Sequence, residues 1–167
     1  QNARQMDLAC RYGGEEFAIV LPATEVAESL AAAERFRKAI ESSQVVYEGQ
    51  SLSVTVSLGV ARIRHNEEPR VLLRRADEAL YASKDFGRNC GHWHDGTSCS
   101  PVLARLFHPH SSDDEASSGP DRRVPELKFF ESLQHRMSES QRYAVPLSLV
   151  VLKVDGYQSI KERLGDT

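Results

Sequence analysis

The chain has 167 residues, 40% of them hydrophobic and 27% charged, with a formal net charge of -3 at pH 7. That length holds one sizeable core, or one domain and part of a second. The small acidic excess excludes an electrostatic grip on nucleic acid, and no apolar run approaches the roughly 18 residues of a membrane span. Cys10, Cys90 and Cys99 are few, odd in number and scattered, and the first residues lack the basic and apolar regions of a signal peptide. A reduced, cytoplasmic protein is the expectation.

The first element predicted is a pair of strands, Asp7 to Arg11 and Glu16 to Leu21, joined at Gly13-Gly14. A two-residue hairpin turn requires positive φ at its centre, which glycine adopts at no steric cost. Pro22 ends the second strand, and Thr24 is the expected cap of a helix from about Glu25 to Ser42, whose apolar positions Val26, Leu30, Ala33, Phe36 and Ile40 recur at helical spacing. "SLSVTVSLGVARI" alternates, with Leu52, Val54, Val56 and Leu58 on one face, and reads as a strand with one wet side. A second helix is predicted from about Arg70 to Phe86, stopped by Gly87, and a short strand from Gly91 to Asp95 follows.

Residues His108 to Arg123 are rich in Ser, Asp, Gly and Pro without apolar periodicity, and read as a linker. Beyond it, Pro125 opens a helix to about Arg142, with Leu127, Phe130, Leu133 and Met137 as its stripe. "PLSLVVLKV", from Pro146 to Val154, is a continuous apolar run of strand length, the mark of a strand covered on both faces. A short helix from Tyr157 to Leu164 closes the series. Strands alternating with helices imply an α/β domain around a central sheet.

The stretch "RYGGEEF" (Arg11 to Phe17) resembles the signature loop of GGDEF domains, the diguanylate cyclases that join two GTP molecules into cyclic di-GMP. "SLGVA" (Ser57 to Ala61) and "ADEALYASKDFGRNC" (Ala76 to Cys90) resemble that family's following strand and nucleotide-facing helix. Residues 125–167 also resemble the family, but they resemble its beginning: a leading helix, first strand and first short helix. The implied organisation is the C-terminal part of a GGDEF domain at 1–97, a linker at 98–124, and the N-terminal part of a second, degenerate GGDEF domain at 125–167. Two explanations stand, a boundary drawn across tandem domains and a circular permutation. In either, the two parts could dock as one α/β, nucleotidyl-cyclase-like domain with permuted connectivity, within one chain or swapped between two.

The resemblance implies roles for residues. Glu15 and Glu16 fall on the signature positions that assist catalysis and hold Mg²⁺, a cation that wants several oxygen ligands. Gly13 and Gly14 would let the nucleotide approach the backbone, and Lys84 and Arg88, four apart on one helical face, match the phosphate-holding pair. Arg4 and Asp7 form the RxxD motif that binds product and inhibits the cyclase, with Arg35 as the second arginine and Arg37 as the alternative. The trailing part departs from the pattern. Lys153 stands where a metal-binding aspartate is usual, Lys161 where an asparagine reads guanine, and Gln158 where a lysine faces phosphate, while Asp155 is retained. Were Lys153 to reach Glu15 and Glu16, it would compete with a cation there. GTP and cyclic di-GMP are the implied partners and a homodimer the implied assembly; a catalytically dead binding or dimerising module is the alternative to an enzyme. Cys90, His92, His94 and Cys99 offer zinc-capable ligands at no recognised spacing, and the plainer reading is an exposed closing strand.

Overall fold

The computed structural model describes residues 3–106, 123–124 and 126–164. β1 (Leu8–Arg11) and β2 (Glu16–Pro22) pair antiparallel and lead into α1 (Val26–Glu41). A separate hairpin of β3 (Val45–Tyr47) and β4 (Gln50–Leu52) follows. β5 (Val56–Arg62), α2 (Pro69–Asp85) and β6 (Gly91–His94) form a parallel β–α–β unit, extended at the sheet edge by β7 (Cys99–Pro101) and the short α3 (Val102–Leu106). β8 (Arg123–Val124), α4 (Glu126–Tyr143), β9 (Leu147–Val154) and α5 (Tyr157–Leu164) complete the chain order. Seven strands make one sheet in the spatial order β7-β6-β5-β9-β2-β1-β8.

The centre of that sheet is β9. It pairs antiparallel with β2 from Glu16↔Lys153 to Pro22↔Leu147, and antiparallel with β5 from Val56↔Val154 to Arg62↔Ser148. Its continuous apolar run follows from that place, since both of its faces are covered. Alternate side chains go to opposite cores. Leu149 and Val151 join Leu72, Ala76 and Leu80 of α2 and Phe129, Leu133 and Met137 of α4. Val150 and Leu152 join Leu30, Ala33 and Phe36 of α1 and Val102 of α3. Helices therefore cover both faces, as the predicted central sheet requires.

α2 lies unusually close to β5. A Cβ at Gly59 would stand 2.0 Å from the Ala76 carbonyl oxygen and 2.4 Å from the Leu80 nitrogen, so only glycine lets the helix seat there. Beside that contact, Arg75 and Glu67 form an ion pair 2.6 Å long with each side chain 5% exposed. Arg75 also donates to the carbonyls of Arg62 (2.6 Å) and His94 (3.2 Å), which locks α2 to β5 and β6.

Several local expectations change. The predicted strand with a wet side breaks at residues 53–55, and Val56 to Ala61 are wholly buried, because β9 and β6 flank β5 and helices cover its faces. Thr24 does not cap α1: its hydroxyl donates to the Pro22 carbonyl at 2.8 Å, while Glu25 is the cap and its N–H donates to Glu28 Oε2 at 3.1 Å. Residues 99–106, expected as the start of the linker, form β7 and α3, with Val102 buried in the core. Arg123–Val124, at the end of the expected linker, form β8 beside β1, and residues 107–122 lie outside the described residues.

Candidate functional site

The signature turn connects β1 and β2, but not as the predicted two-residue hairpin. The strand ladder ends at Arg11↔Phe17, and the N–H groups of Tyr12 and Gly13 both donate to the Glu16 carbonyl, at 2.8 and 3.1 Å. Neither Gly13 nor Gly14 has a positive φ; among the described residues the left-handed glycines are Gly49, Gly87, Gly96 and Gly156. A Cβ at Gly13 would stand 3.0 Å from Glu16 Oε2, the far end of a flexible side chain, and nothing lies within 4 Å of one at Gly14. The Arg11 guanidinium clasps the turn by donating to the carbonyls of Gly13 and Gly14.

At the end of β9, Lys153 stands directly across the ladder from Glu16. Its Nζ lies 2.9 Å from Glu16 Oε1 and 3.2 Å from Glu15 Oε1. All three side chains are partly sheltered, at 27% exposure for Lys153 and Glu15 and 33% for Glu16. Hydrogen bonding to Glu16, outweighing the cost of burial, raises the Lys153 pKa, so the ammonium stays charged. The adjacent Val154 N–H donates to the Glu15 carbonyl at 3.1 Å, which extends the contact into the backbone.

Glu15, Lys153 and Val154 border an open cleft of about 290 Å³, lined also by Lys84, Arg88, Asp155 and Gln158. Burial, and next the neighbouring Lys153 charge, push the Lys84 pKa down, while Glu16 opposes that shift. Lys84 and Arg88 do share the cleft, but not one helical face. α2 ends at Asp85, Gly87 turns the chain at φ 123°, and Arg88 sits beyond it at φ 65° with its N–H on the Ser83 carbonyl. Lys161 is exposed on α5.

Asp155, two residues beyond Lys153, is taken up by the fold. Its Oδ1 accepts from Ser57 Oγ at 2.6 Å, and its Oδ2 from Thr55 Oγ1 at 2.8 Å and the Asn89 N–H at 3.1 Å. Asn89 carries the brace onward to α1, donating to Glu41 Oε1 at 2.6 Å and accepting from Arg37 at 2.7 Å. Ser57 and Asn89 fall inside the family-like stretches, but their shared partner with Thr55 is remote: Asp155 is a hundred residues from Thr55, ninety-eight from Ser57 and sixty-six from Asn89.

Just before β1, the Arg4 N–H donates to Asp7 Oδ2 at 2.6 Å, and the Asp7 N–H returns a bond to the Arg4 carbonyl at 3.1 Å. Asp7 is 8% exposed, and its Oδ1 is buried without a hydrogen-bond partner. Burial raises its pKa against the opposing hydrogen bond from Arg4 and the charges of Arg4 and Arg35. Arg35 is thus near enough to act on Asp7. Arg37, the alternative, is buried and bound to Glu34 and Glu41 at 2.8 Å each, so it serves the brace.

Residues 1–90 match the family model described as diguanylate cyclase, GGDEF domain. The chain belongs to the GGDEF family. Diguanylate cyclase A of Treponema denticola is 44% identical over 87 residues, covering 52% of this chain and 24% of that protein. Response regulator PleD of Caulobacter vibrioides is 45% identical over 91 residues, 53% of this chain and 20% of its own length. Diguanylate cyclase DgcP of Pseudomonas aeruginosa is 41% identical over 86 residues, covering 52% of this chain and 13% of that protein. The matches thus span a quarter or less of these curated relatives.

Diguanylate cyclases of the GGDEF family generally depend on magnesium, and the fit of that cation can be judged from the signature turn. Magnesium demands a near-octahedral set of oxygens. Here the space between the two carboxylates is taken by an ammonium bonded to both, and Asp155 is satisfied by three donors. The residues present do not fit the cation. Among the described residues no group of three or more His, Cys, Asp or Glu could hold a metal ion.

In this GGDEF domain His92 and His94 have structural partners. β6 is not an exposed strand: His92 and His94 are each 6% exposed. His92 Nδ1 lies 3.0 Å from Ser83 Oγ on α2, and burial lowers its pKa. His94 Nε2 lies 2.9 Å from Glu78, and its Nδ1 accepts the Gly96 N–H at 2.9 Å. No helix among the described residues is long and apolar enough to cross a membrane.

Proposed function

We propose that this chain is a GGDEF module of diguanylate cyclase descent that binds cyclic di-GMP and guanine nucleotide while turning over little or no GTP. The observation that carries the reading is the Lys153 ammonium bonded to both carboxylates of the signature turn. In the family reaction, two GTP yield cyclic di-GMP and two diphosphates, and the signature acids serve the attacking 3'-hydroxyl. Here Glu15 and Glu16 are held by a fixed positive charge, and neither is at liberty to take that role. Lys84 and Arg88 still line the cleft and suit phosphate oxygens. Lys161 and Gln158 lack the chemistry expected for reading guanine and for holding phosphate.

Cyclic di-GMP would enter at Arg4, Asp7 and Arg35. The orphaned Asp7 Oδ1 suits the N–H edge of guanine, and the two arginines suit guanine and phosphate oxygens. Residues 1–97 and 125–167 are, in this reading, the two parts of a GGDEF fold joined through β9, active as a dimer in cytoplasmic signalling. A working cyclase is the second reading, favoured by the complete Gly13-Gly14-Glu15-Glu16 signature and by relatives named diguanylate cyclases. Calorimetric titration with cyclic di-GMP tests the binding claim. Saturable binding that disappears in a folded Arg4→Ala variant supports it; absent binding, or equal affinity in Arg4→Ala, overturns it.

A further inference from the structure

We infer that the Lys153 ammonium is a built-in counter-cation that makes the signature turn independent of divalent metal, and that the one substitution Lys153→Asp opens a divalent-cation site there. The inference deepens the functional reading above and takes from it only the choice of this turn as the chemical centre. Two carboxylates next to each other in sequence, both partly sheltered, repel one another unless a cation lies between them. Lys153 supplies that cation at 2.9 and 3.2 Å, an ammonium with three N–H donors serving both carboxylates.

Strand register fixes where any replacement would stand. Position 153 is the cross-ladder partner of Glu16, so its side chain rises on the same face at the same end of the sheet. Asp155 cannot substitute, because Thr55, Ser57 and the Asn89 N–H consume its oxygens. An aspartate at 153 would convert an ammonium between two carboxylates into three carboxylates around a gap. Oxygen-only sets of this kind suit hard cations such as Mg²⁺, Mn²⁺ and Ca²⁺.

The test is Mn²⁺ titration followed by electron paramagnetic resonance, without nucleotide, on the full chain and its Lys153→Asp and Lys153→Met variants. The parent is expected to show no saturable Mn²⁺ up to about 1 mM, the weak end of oxygen-ligand sites. Lys153→Asp is expected to bind one Mn²⁺ at least about tenfold more tightly, to gain thermal stability with Mg²⁺, and to lose both on adding Glu15→Gln. Folding that requires Mg²⁺ in Lys153→Asp counts equally in favour. Should that variant fail to fold with or without metal, Lys153→Met decides: weak Mn²⁺ binding absent from the parent supports the inference, and none overturns it. One tight Mn²⁺ in the parent that Glu15→Gln removes also overturns it, as does a folded Lys153→Asp no tighter than the parent. Because the titration contains no nucleotide, its failure is separable from failure of cyclic di-GMP binding, which would end the functional reading alone.

Discussion

Lys153 and Glu16 face each other across the β2–β9 ladder with Nζ and Oε1 2.9 Å apart, and the same ammonium reaches Glu15. The pair ties a strand near the end of the chain to the signature turn near its beginning. Replacing Lys153 by Met leaves two adjacent carboxylates without their cation. A loss of about 1 kcal/mol is expected for groups this partly exposed, smaller in high salt. The pH dependence has a definite sign. A lysine whose native pKa is raised contributes fully below its ordinary value of 10.5 and loses that contribution as pH climbs through the native value. Urea denaturation should therefore separate the parent from Lys153→Met at pH 7 and bring them together in strong alkali.

The Arg75–Glu67 pair is a different case because both side chains are 5% exposed. Arg75→Met strands the Glu67 carboxylate and two backbone carbonyls, so a loss of about 3–5 kcal/mol is expected. Adding Glu67→Leu should recover part of it. Denaturant midpoints of the two single variants and the double variant measure the coupling, and additive losses would contradict this account.

Much of this architecture is legible in the chain, for physical reasons that differ by element. The run from Leu147 to Leu152 announces a central strand because no polar residue larger than Ser148 interrupts it. α2 declares itself through Leu73, Ala76 and Leu80 at helical spacing. The wet face expected for β5 was misleading because Ser57, polar in sequence, is buried and spends its hydroxyl on Asp155. Gly13-Gly14 invited a tight two-residue turn, yet neither glycine takes a positive φ, and the N–H groups of Tyr12 and Gly13 close the turn on the Glu16 carbonyl. Arg88 looked helical by spacing from Lys84, and Gly87 intervenes. The site's main feature, Lys153 against both glutamates, was conditional on two distant segments meeting, which local pattern cannot decide.

Gly59 carries a sharper steric prediction. Its missing Cβ leaves room for backbone atoms of Ala76 and Leu80, which cannot rotate aside as a side chain would. Gly59→Ala should cost about 3 kcal/mol by pushing α2 off β5. Thermal denaturation of this variant beside Gly14→Ala, where nothing lies within 4 Å, provides the contrast. Equal stability of the two variants would contradict the close approach.

Asp7 predicts a separation of stability from binding. Burial raises its native pKa, so ionised Asp7 is a cost to the fold that is relieved as pH falls through that value. Asp7→Asn keeps an oxygen for the Arg4 N–H and removes the buried charge. It should be at least as stable as the parent at pH 7, with a weaker gain on mild acidification, and should lose cyclic di-GMP affinity. Retained affinity in calorimetry would place the ligand elsewhere.

The most direct test of the account is to incubate the chain with GTP and magnesium and to quantify cyclic di-GMP by chromatography, with Glu15→Gln alongside. With Lys153 holding both signature carboxylates, the parent should form no more product than Glu15→Gln. Product from the parent that vanishes in Glu15→Gln would contradict the account, for Glu15 would then work despite the lysine beside it.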